Sequence, residues 1–259
     1  MQITIAGHGF VGSTVASAID AAGIECWVVD PKYNQNKISD CPDADGIIVT
    51  VNTPTVDGKC DPTNLYNVLD QIPEIMPVCI KSTITPDIVE HICRKYKNHY
   101  IVIYPEFLRE RCAKEDFENQ RSIILGGDIR FFWQDVFKKV LPNVKLFHHC
   151  SPVEAMLVKY FRNSYLAVKS SYFNHVSDIC KELGTNFDNV RNLVCQDTRI
   201  GSGQTLVPGP DGQEGWGGNC LPKDTEAFLF WCGIYEISFD VLQAAVEYNK
   251  TKRNNVDKT

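Results

Sequence analysis

A glycine-rich turn near the start of the sequence sets the tightest limit on the fold. It lies between a short apolar strand pattern and a helical pattern and reads Gly7-His8-Gly9-Phe10-Val11-Gly12. Gly7 permits a tight turn, Gly9 lets a pyrophosphate approach the backbone, and Gly12 permits close packing of helix on strand. The sequence therefore predicts a Rossmann-type dinucleotide site, with the phosphates at the helix N-terminus formed by Phe10 and Val11.

The second predicted strand ends in Asp30, an acidic residue at the place that binds the ribose hydroxyls of an adenine dinucleotide. Its charge would repel a 2′-phosphate, which favours NAD over NADP, although the nearby Lys32 weakens that preference. Residues 31–45 are too few for the helix and strand that would complete this half of the fold. Either the sheet loses an element here, or residues 37–40 form a short stub.

Strand and helix patterns alternate as far as residue 150, which predicts an α/β domain over residues 1–150 with a doubly wound parallel sheet. In such sheets, ligands bind at the carboxyl ends of the strands. Polar clusters follow three predicted strand ends: Thr53-Pro54-Thr55, Ser82-Thr83 and Glu106.

From residue 151 the strand pattern stops, and residues 151–259 are predicted to form an all-α domain with one long helix over residues 152–183. Lys159 and Asn163 are four residues apart and therefore share a face of that helix. A buried lysine and asparagine would be costly without polar partners. The pattern alone leaves open whether the pair forms a solvated edge or a site.

A single cysteine lies between a glycine run and a predicted helix start. The segment reads Gly215-Trp216-Gly217-Gly218-Asn219-Cys220-Leu221-Pro222-Lys223-Asp224. Pro222 suits a first helical turn, so Cys220 lies near the positive end of a helix dipole and beside Lys223, which both favour the thiolate. Gly217 and Gly218 let the backbone approach a ligand closely. The alternative interpretation is a glycine-rich turn that holds one of eleven cysteines.

Composition excludes several other classes of function. A net charge of −6 gives no electrostatic basis for nucleic-acid binding, and no apolar run reaches membrane-spanning length. The cysteines show neither metal-ligand spacing nor a disulfide framework, so no metal is expected, and reduced thiols fit a cytoplasmic protein. We interpret His148-His149 as structural.

Taken in order, these motifs resemble the nucleotide-sugar dehydrogenases, the UDP-glucose/GDP-mannose dehydrogenase family. The resemblance rests on the glycine turn and on five further segments: 51–55, 81–83, 105–110, the Lys159/Asn163 helix, and 207–212 through 217–224. It implies a fold of a Rossmann domain followed by a helical domain. It also implies oxidation of a sugar C6 alcohol to the carboxylate, UDP-glucose to UDP-glucuronate above all, in two NAD-dependent steps.

The same resemblance implies roles for individual residues. Cys220 would form a thiohemiacetal and then a thioester, while Lys159 and Asn163 stabilise the oxyanion at C6. Proton transfer and water positioning would involve Glu106, Asp224 and Thr83. Cofactor contacts would come from Gly7, Gly9, Phe10, Val11, Gly12, Asp30, Lys32, Thr53, Pro54 and Thr83. Substrate contacts would come from Phe107, Leu108, Glu110, Lys159, Asn163, Gly217 and Gly218.

The chain departs from this family in one major respect. The family has a third domain that binds the nucleotide of the sugar donor, and the resemblance implies that this C-terminal domain is absent here. Two hypotheses follow: an active dehydrogenase, or a degenerate NAD-binding relative with a regulatory or partner-dependent role. Dehydrogenases of the 3-hydroxyacid and 6-phosphogluconate group share the architecture but do not need a cysteine at position 220. The resemblance also implies a homodimer built on the long helix.

Overall fold

The computed structural model describes residues 1–41, 43–73, 75–128 and 130–253, without the side chain of Arg130. The chain divides into two compact units. The first unit consists of Met1–Val56 and Cys60–Lys159. The second consists of Asp57–Lys59 and the chain from Tyr160 onward. The long helix is continuous in sequence from one unit into the other.

The elements up to residue 150 are strands and helices, which alternate except over four successive strands between residues 25 and 60, where Lys59 belongs to the second unit. In chain order they are β1 (Gln2–Ala6), α1 (Phe10–Ala21), β2 (Glu25–Val29), β3 (Gly46–Val49), β4 (Thr55–Val56), β5 (Lys59–Cys60), α2 (Thr63–Leu69), β6 (Pro77–Ile80), α3 (Pro86–Lys95), β7 (Tyr100–Ile103), α4 (Ala113–Glu118), β8 (Ser122–Gly127), α5 (Arg130–Val140) and β9 (Leu146–Cys150). Short 3₁₀ turns add Ile38–Asp40 and Glu110–Cys112.

Seven strands form the main sheet in the order β2-β1-β3-β6-β7-β8-β9. The order reverses direction at β1, between β2 and β3, as in a doubly wound fold. Each described pairing is parallel except that of β7 with β8, where Ile103 lies opposite Gly126 in an antiparallel register. The sheet is therefore mostly parallel, as predicted, but its last two strands run opposite to the rest.

Two glycines at the end of β8 are packed too closely to carry a side chain. A Cβ on Gly127 would lie 2.4 Å from the carbonyl oxygen of Ile101, and a Cβ on Gly126 would lie 2.6 Å from that of Ser151. Gly127 also has φ of +142°, which side-chain-bearing residues rarely adopt. Gly127 thus permits the close approach of β8 to β7, while Gly126 permits the close approach of the start of the long helix at Pro152.

The core of the first unit lies on both faces of this sheet. Ile3, Ile5 and Ile48 have no exposed surface, as continuous apolar strands covered by helices require. Helix α5 covers one face with Trp133 and Phe137, both fully buried. The sheet is thus a rigid base for the loops at the carboxyl ends of its strands.

Residues 31–45 form no further strand or α-helix where the structure describes them. Among the described residues of this segment, the one regular element is the 3₁₀ turn Ile38–Asp40, which matches the alternative of a short stub at residues 37–40. The Asp40 carboxylate accepts a hydrogen bond from the Lys37 backbone and closes this turn. Pro42 lies outside the described residues.

The second unit contains helices and no strand of the main sheet in its described part. Its helices are the greater part of α6 (Pro152–Glu182), then α7 (Phe187–Val194), α8 (Leu221–Ile234) and α9 (Asp240–Lys252). Phe228 of α8 stacks on Tyr160 of α6 at 4.7 Å between ring centroids and on Trp231 at 5.5 Å. These rings give the unit its apolar centre.

Candidate active site

The glycine turn has the geometry that its spacing predicts. Gly7 has φ of +97°, and a Cβ there would lie 2.9 Å from the backbone carbon of Thr50. A Cβ on Gly12 would lie 2.0 Å from the carbonyl oxygen of Gly7, whereas one on Gly9 would meet nothing within 4 Å. Gly7 and Gly12 are therefore required by packing, and the space beside Gly9 is open to a ligand.

Gly9 is the N-cap residue of α1, so the turn delivers the chain directly into a helix N-terminus. The first backbone N–H groups of a helix have no partner within it and point outward. Phe10 and Val11, the first two residues of the helix, are half-buried. An anion beside Gly9 would meet these donors and the positive end of the helix dipole.

The Asp30 carboxylate lies next to the glycine turn and is fixed by two backbone N–H groups. Oδ2 accepts a hydrogen bond from the His8 N–H at 2.6 Å, and Oδ1 accepts one from the Lys32 N–H at 2.9 Å. The Lys32 side chain is exposed. The carboxylate is thus fixed at the end of β2, with lone pairs remaining on both oxygens for the hydroxyls of a ribose.

The loops after β3 and β6 are joined to each other. Thr53 Oγ1 donates to the carbonyl oxygen of Thr83 at 2.5 Å, and Ser82 Oγ donates to that of Val51 at 2.7 Å. Thr53 is buried, while Pro54 and Thr83 are half-buried. The structure therefore brings the predicted cofactor residues Thr53, Pro54 and Thr83 together at one edge of the sheet.

Glu106, after β7, is buried and fully engaged. Its Oε1 accepts hydrogen bonds from the N–H groups of Phe107 and Leu108 at 2.6 and 2.7 Å. Its Oε2 forms an ion pair with Lys81 Nζ at 2.9 Å. The carboxylate therefore fixes the loop that follows it, and its charge is balanced inside the first unit.

Lys81 is the main site residue that the sequence analysis missed. It is 2% exposed, and its ammonium lies 3.3 Å from the ring centroid of Tyr104. Burial raises the pKa of Tyr104 well above its ordinary value. The phenol therefore stays protonated and donates to Gln120 Oε1 at 2.7 Å. A lysine directly after an apolar central strand was a signal that could have indicated a buried charge in need of a partner.

Lys159 reaches the same loop from α6. Its Nζ donates to the Glu106 carbonyl oxygen at 2.5 Å and lies 5.8 Å from the Phe107 ring, and the residue is only 5% exposed. The structure therefore decides between the two interpretations left open for Lys159: it is not a solvated edge residue.

The other predicted sugar-contacting residues of this loop differ in exposure. The Leu108 side chain belongs to the hydrophobic core of the first unit, whereas Glu110 is exposed. Arg109, between them, forms a bidentate pair with Asp116 at 2.9 and 2.6 Å. Leu108 thus anchors the loop with its side chain, and its N–H is engaged by Glu106.

Within the second unit, Cys220 is the N-cap residue of α8 and is half-buried. Its carbonyl oxygen accepts the first helical hydrogen bond, from the Asp224 N–H at 2.9 Å. Pro222 lies in the first turn, as predicted. The thiol therefore lies at the positive end of a helix dipole, a position that favours a nucleophilic cysteine.

Asp224 ties this helix start to α6. Its side chain is 2% exposed; Oδ2 accepts a hydrogen bond from Asn163 Nδ2 at 2.6 Å, and Oδ1 pairs with Lys223 Nζ at 2.6 Å. Asn163 is buried, so the open question about this residue is also decided against a solvated edge. The Lys223 charge, predicted to act on Cys220, is engaged by Asp224.

The approach to Cys220 is a glycine turn. Gly217 is half-buried, and Gly218 is exposed with φ of +78°. No group of three or more metal-ligating side chains occurs within the described ranges. In the first unit a cavity of about 320 Å³ contains none of the predicted site residues; it is lined by Gly127, Asp128, His149, Cys150, Ser151 and Pro152.

Comparison with known proteins identifies the family of this fold and site. Residues 35–131 match the NAD binding domain of the UDP-glucose/GDP-mannose dehydrogenase family, and residues 153–251 match its central domain. The chain belongs to this family. In the described part of the chain, no helix is both long and apolar enough to cross a membrane.

Similar proteins extend beyond the part that this chain matches. The UDP-glucose 6-dehydrogenase of Rickettsia felis is 30% identical over 88% of this chain, but the match covers 52% of that protein. A UDP-glucose dehydrogenase structure from Pyrobaculum islandicum is similar with a TM-score of 0.86 and 25% identity, over 96% of this chain and 68% of that one. The chain thus spans about half the length of these curated relatives.

One further structure resembles the fold alone. Mycobacterium tuberculosis 3-hydroxyisobutyrate dehydrogenase has a TM-score of 0.77 and 15% identity, with coverage of 99% of this chain and 95% of that one. This likeness agrees with the expectation that the architecture is shared with the 3-hydroxyacid group, and the choice between chemistries depends on the site residues.

Proposed function

We propose that this chain is an NAD-dependent dehydrogenase that oxidises the C6 alcohol of a nucleotide sugar, UDP-glucose before others, to the carboxylate. The observation that carries the proposal is the place of Cys220 at the N-cap of α8. Simple alcohol dehydrogenation needs no nucleophilic thiol, whereas a four-electron oxidation that passes through an enzyme-bound acyl group does. The names of the UDP-glucose 6-dehydrogenase relatives support the choice of sugar.

The first unit fits NAD. The open space beside Gly9, the N-terminus of α1 and the fixed carboxylate of Asp30 would hold the pyrophosphate and the adenine ribose. Thr53, Pro54 and Thr83 would line the remainder of the cofactor site. When bound, NAD supplies the hydride acceptor for both oxidations.

Charge stabilisation at C6 is assigned to α6. Loss of the hydroxyl proton leaves negative charge on the C6 oxygen, and Lys159 would stabilise it by its own charge. Asn163 Nδ2 carries two hydrogens and donates one to Asp224, so the other would serve the oxyanion. Both residues are buried, which strengthens such interactions.

Covalent catalysis is assigned to Cys220. After the first oxidation its sulfur would add to the aldehyde carbon and form a thiohemiacetal, with the carbonyl oxygen taking up a proton. Oxidation of that adduct gives a thioester. Water then cleaves the carbon–sulfur bond, which releases the carboxylate and restores the thiol.

Water and proton handling are assigned to Glu106, Asp224 and Thr83. Both oxygens of Glu106 are already engaged by Lys81 and by backbone N–H groups, which favours a role in orienting water over free proton exchange. The sugar would contact the Phe107–Glu110 loop, including Leu108, and also Gly217 and Gly218.

The test is production of NADH by the full chain with UDP-glucose, GDP-mannose or UDP-N-acetylmannosamine, beside Cys220→Ser. The wild type is expected to form two NADH per carboxylate. Cys220→Ser is expected to lose the second oxidation. Absence of NADH with all three sugars would overturn the activity, and a Cys220→Ser enzyme equal to wild type in rate and stoichiometry would overturn the role of Cys220.

A second candidate is a non-catalytic NAD-binding relative, because the features that fit NAD, the N-terminus of α1 and the fixed carboxylate of Asp30, belong to the first unit and do not depend on Cys220. The same assay separates the two, because that protein would bind NADH in a fluorescence titration and turn over none of the three sugars.

Self-association and setting complete the proposal. Large apolar side chains of α6 remain exposed at helical spacing: Phe161, Tyr165, Tyr172, Ile179 and Leu183. We assign a second copy of this chain as the partner of this surface, since a stripe along most of one helix matches a two-fold helix pair. The eleven cysteines, scattered without a disulfide framework, suit a reducing, cytoplasmic setting.

A further inference from the structure

The loop that leads to Cys220 is anchored by side-chain amides of two helices. The Gly215 N–H donates to Asn174 Oδ1 of α6 at 2.7 Å. The Trp216 N–H donates to Asn249 Oδ1 of α9 at 2.8 Å, and Asn249 Nδ2 donates back to the Trp216 carbonyl oxygen at 2.8 Å. Asn249 therefore satisfies both backbone groups of Trp216, as a neighbouring strand would.

The Trp216 side chain secures the same point. It is 5% exposed, and its Nε1 donates to Ser171 Oγ of α6 at 2.9 Å. Ser171 Oγ in turn donates to the Ala245 carbonyl oxygen of α9 at 3.1 Å. A buried network whose polar groups all have hydrogen-bond partners stabilises a single backbone arrangement.

Gly215 is required by this arrangement. A Cβ at this position would lie 2.4 Å from Asn249 Oδ1, and its φ of +76° belongs to the region that favours glycine. The absence of a side chain at Gly215 thus permits both the close approach of Asn249 and the backbone conformation of the turn.

A second anchor lies just beyond Cys220. The buried hydrogen bond between Asp224 and Asn163 ties the first turn of α8 to α6. Only residues 217–219 separate Trp216 from Cys220. Cys220 therefore lies between two fixed points, Trp216 before it and Asp224 after it. Polar residues of α6 contribute to both: Asn163, Ser171 and Asn174.

We propose that Asn249 of α9 is a positioning residue for Cys220, acting through Trp216 and supported by Ser171. This inference rests on the proposed function only in calling Cys220 the nucleophile. Helix α9 then contributes to the site, although Asn249 bonds Trp216, which lies four residues before Cys220 in the sequence.

The experiment measures alkylation of Cys220 by iodoacetamide in the full chain, read by peptide mass spectrometry against Cys112 of the first unit as an internal reference. The variants are Asn249→Ala and the milder Ser171→Ala, which removes only a hydroxyl. Gln243→Ala, an exposed position on α9 that contacts Glu247, is the matched control.

Release of the loop should expose the half-buried thiol, so the ratio of Cys220 to Cys112 labelling is expected to rise at least about fivefold in both variants. Deuterium exchange of the Gly215 and Trp216 N–H groups should rise with it. Gln243→Ala should match wild type. A ratio within about twofold of wild type in Ser171→Ala, in protein with native circular dichroism, would overturn the proposal.

Activity supplies a separate readout. If the chain oxidises UDP-glucose, both variants should lose at least about tenfold in kcat with the KM for NAD unchanged, since the first unit is untouched. A rise in the KM for NAD as large as the fall in kcat would argue against positioning of the nucleophile. Because labelling needs no turnover, an inactive wild type would count against the proposed function and leave the labelling result to decide on Asn249.

Discussion

Gly9 and Gly12 lie three residues apart in one turn but tolerate an added methyl group very differently. An alanine at position 12 would place its Cβ 2.0 Å from the Gly7 carbonyl oxygen and 2.7 Å from Thr50 Oγ1. Backbone must then shift, and Gly12→Ala is expected to lower the free energy of unfolding by about 3 kcal/mol. Urea denaturation followed by circular dichroism measures this.

Gly9→Ala is the matched variant, because a Cβ there meets nothing within 4 Å. Its stability should stay close to wild type, while NADH binding in a fluorescence titration should weaken, since the methyl group would occupy the phosphate approach. Equal stability losses in the two variants would contradict the geometry, and unchanged NADH affinity in Gly9→Ala would contradict the location of the pyrophosphate.

The Lys81–Glu106 ion pair leads to a second prediction at this scale. Glu106→Gln keeps the acceptor for the Phe107 and Leu108 N–H groups but removes the charge that balances Lys81, whose side chain is 1% exposed. The free energy of unfolding is expected to fall by about 3 kcal/mol, because an unpaired charge remains buried.

An exposed ion pair is the control for this loss. Glu118→Gln breaks the pair with Lys114, whose atoms are 3.8 Å apart at the surface, and should change stability little. If Glu106→Gln were as mild as Glu118→Gln in urea denaturation, Lys81 would have to find another counter-charge.

Single residues also show what the sequence could predict. The roles of Gly7 and Gly12 followed from their spacing, because a local turn needs only local information. The role of Lys81 did not, because its partner Glu106 lies in the loop after another strand and burial cannot be read from one position. For the same reason, the pattern could not decide whether Lys159 and Asn163 are solvated.

At the scale of elements, a cluster of ion pairs joins α6, the loop before Cys220 and α9. Glu214 of the loop pairs with Lys181 of α6 and with Lys252 of α9, and Lys252 also pairs with Asp178. Hydrogen bonds from Lys181 and Lys252 lower the pKa of Glu214 below its ordinary value of 4.5. Burial acts to raise the pKa of Asp178, but hydrogen bonds from Lys252 and Tyr248 outweigh it, so the pKa of Asp178 is also lowered.

These directions predict a loss of stability in acid. A carboxylate with a lowered pKa in the folded state stabilises the fold above its unfolded pKa, and this contribution is lost as pH falls through the folded value. The urea midpoint of the wild type should therefore fall more steeply below about pH 4.5 than that of Glu214→Gln. Glu226→Gln, at an exposed position on α8, should follow the wild type; identical slopes in all three would contradict the ion-pair account.

Element types were easier to predict than strand direction. The helices opening at Pro86 and Pro152 and the strand over residues 100–103 lie as expected, because proline and apolar runs are local signals. The antiparallel entry of β8 and the short helix α4 were not expected. The direction of β8 depends on its pairing with a distant segment. The six residues of α4 are too few to show a helical period.

For the whole molecule, the exposed stripe of α6 predicts dimerisation. Tyr172 and Ile179 are 61% and 58% exposed on this stripe. Light scattering at high concentration should give twice the chain mass of 29.2 kDa, and the double variant Tyr172→Glu/Ile179→Glu should give the monomer.

Leu193→Glu on α7 is the control for this experiment, because Leu193 is 74% exposed and lies outside the stripe. It should remain dimeric. A monomeric wild type at high concentration, or equal dissociation by Leu193→Glu, would contradict α6 as the contact surface.

The position of β1 in the sheet has a consequence for how the chain acquires its shape during synthesis. Strand β1 lies between β2 and β3, and all three strands with the glycine turn come from the segment Met1–Val49. These pairings close short loops, which form faster than contacts between distant segments. The turn that would receive a dinucleotide can therefore assemble on the emerging chain before Cys220 has been translated.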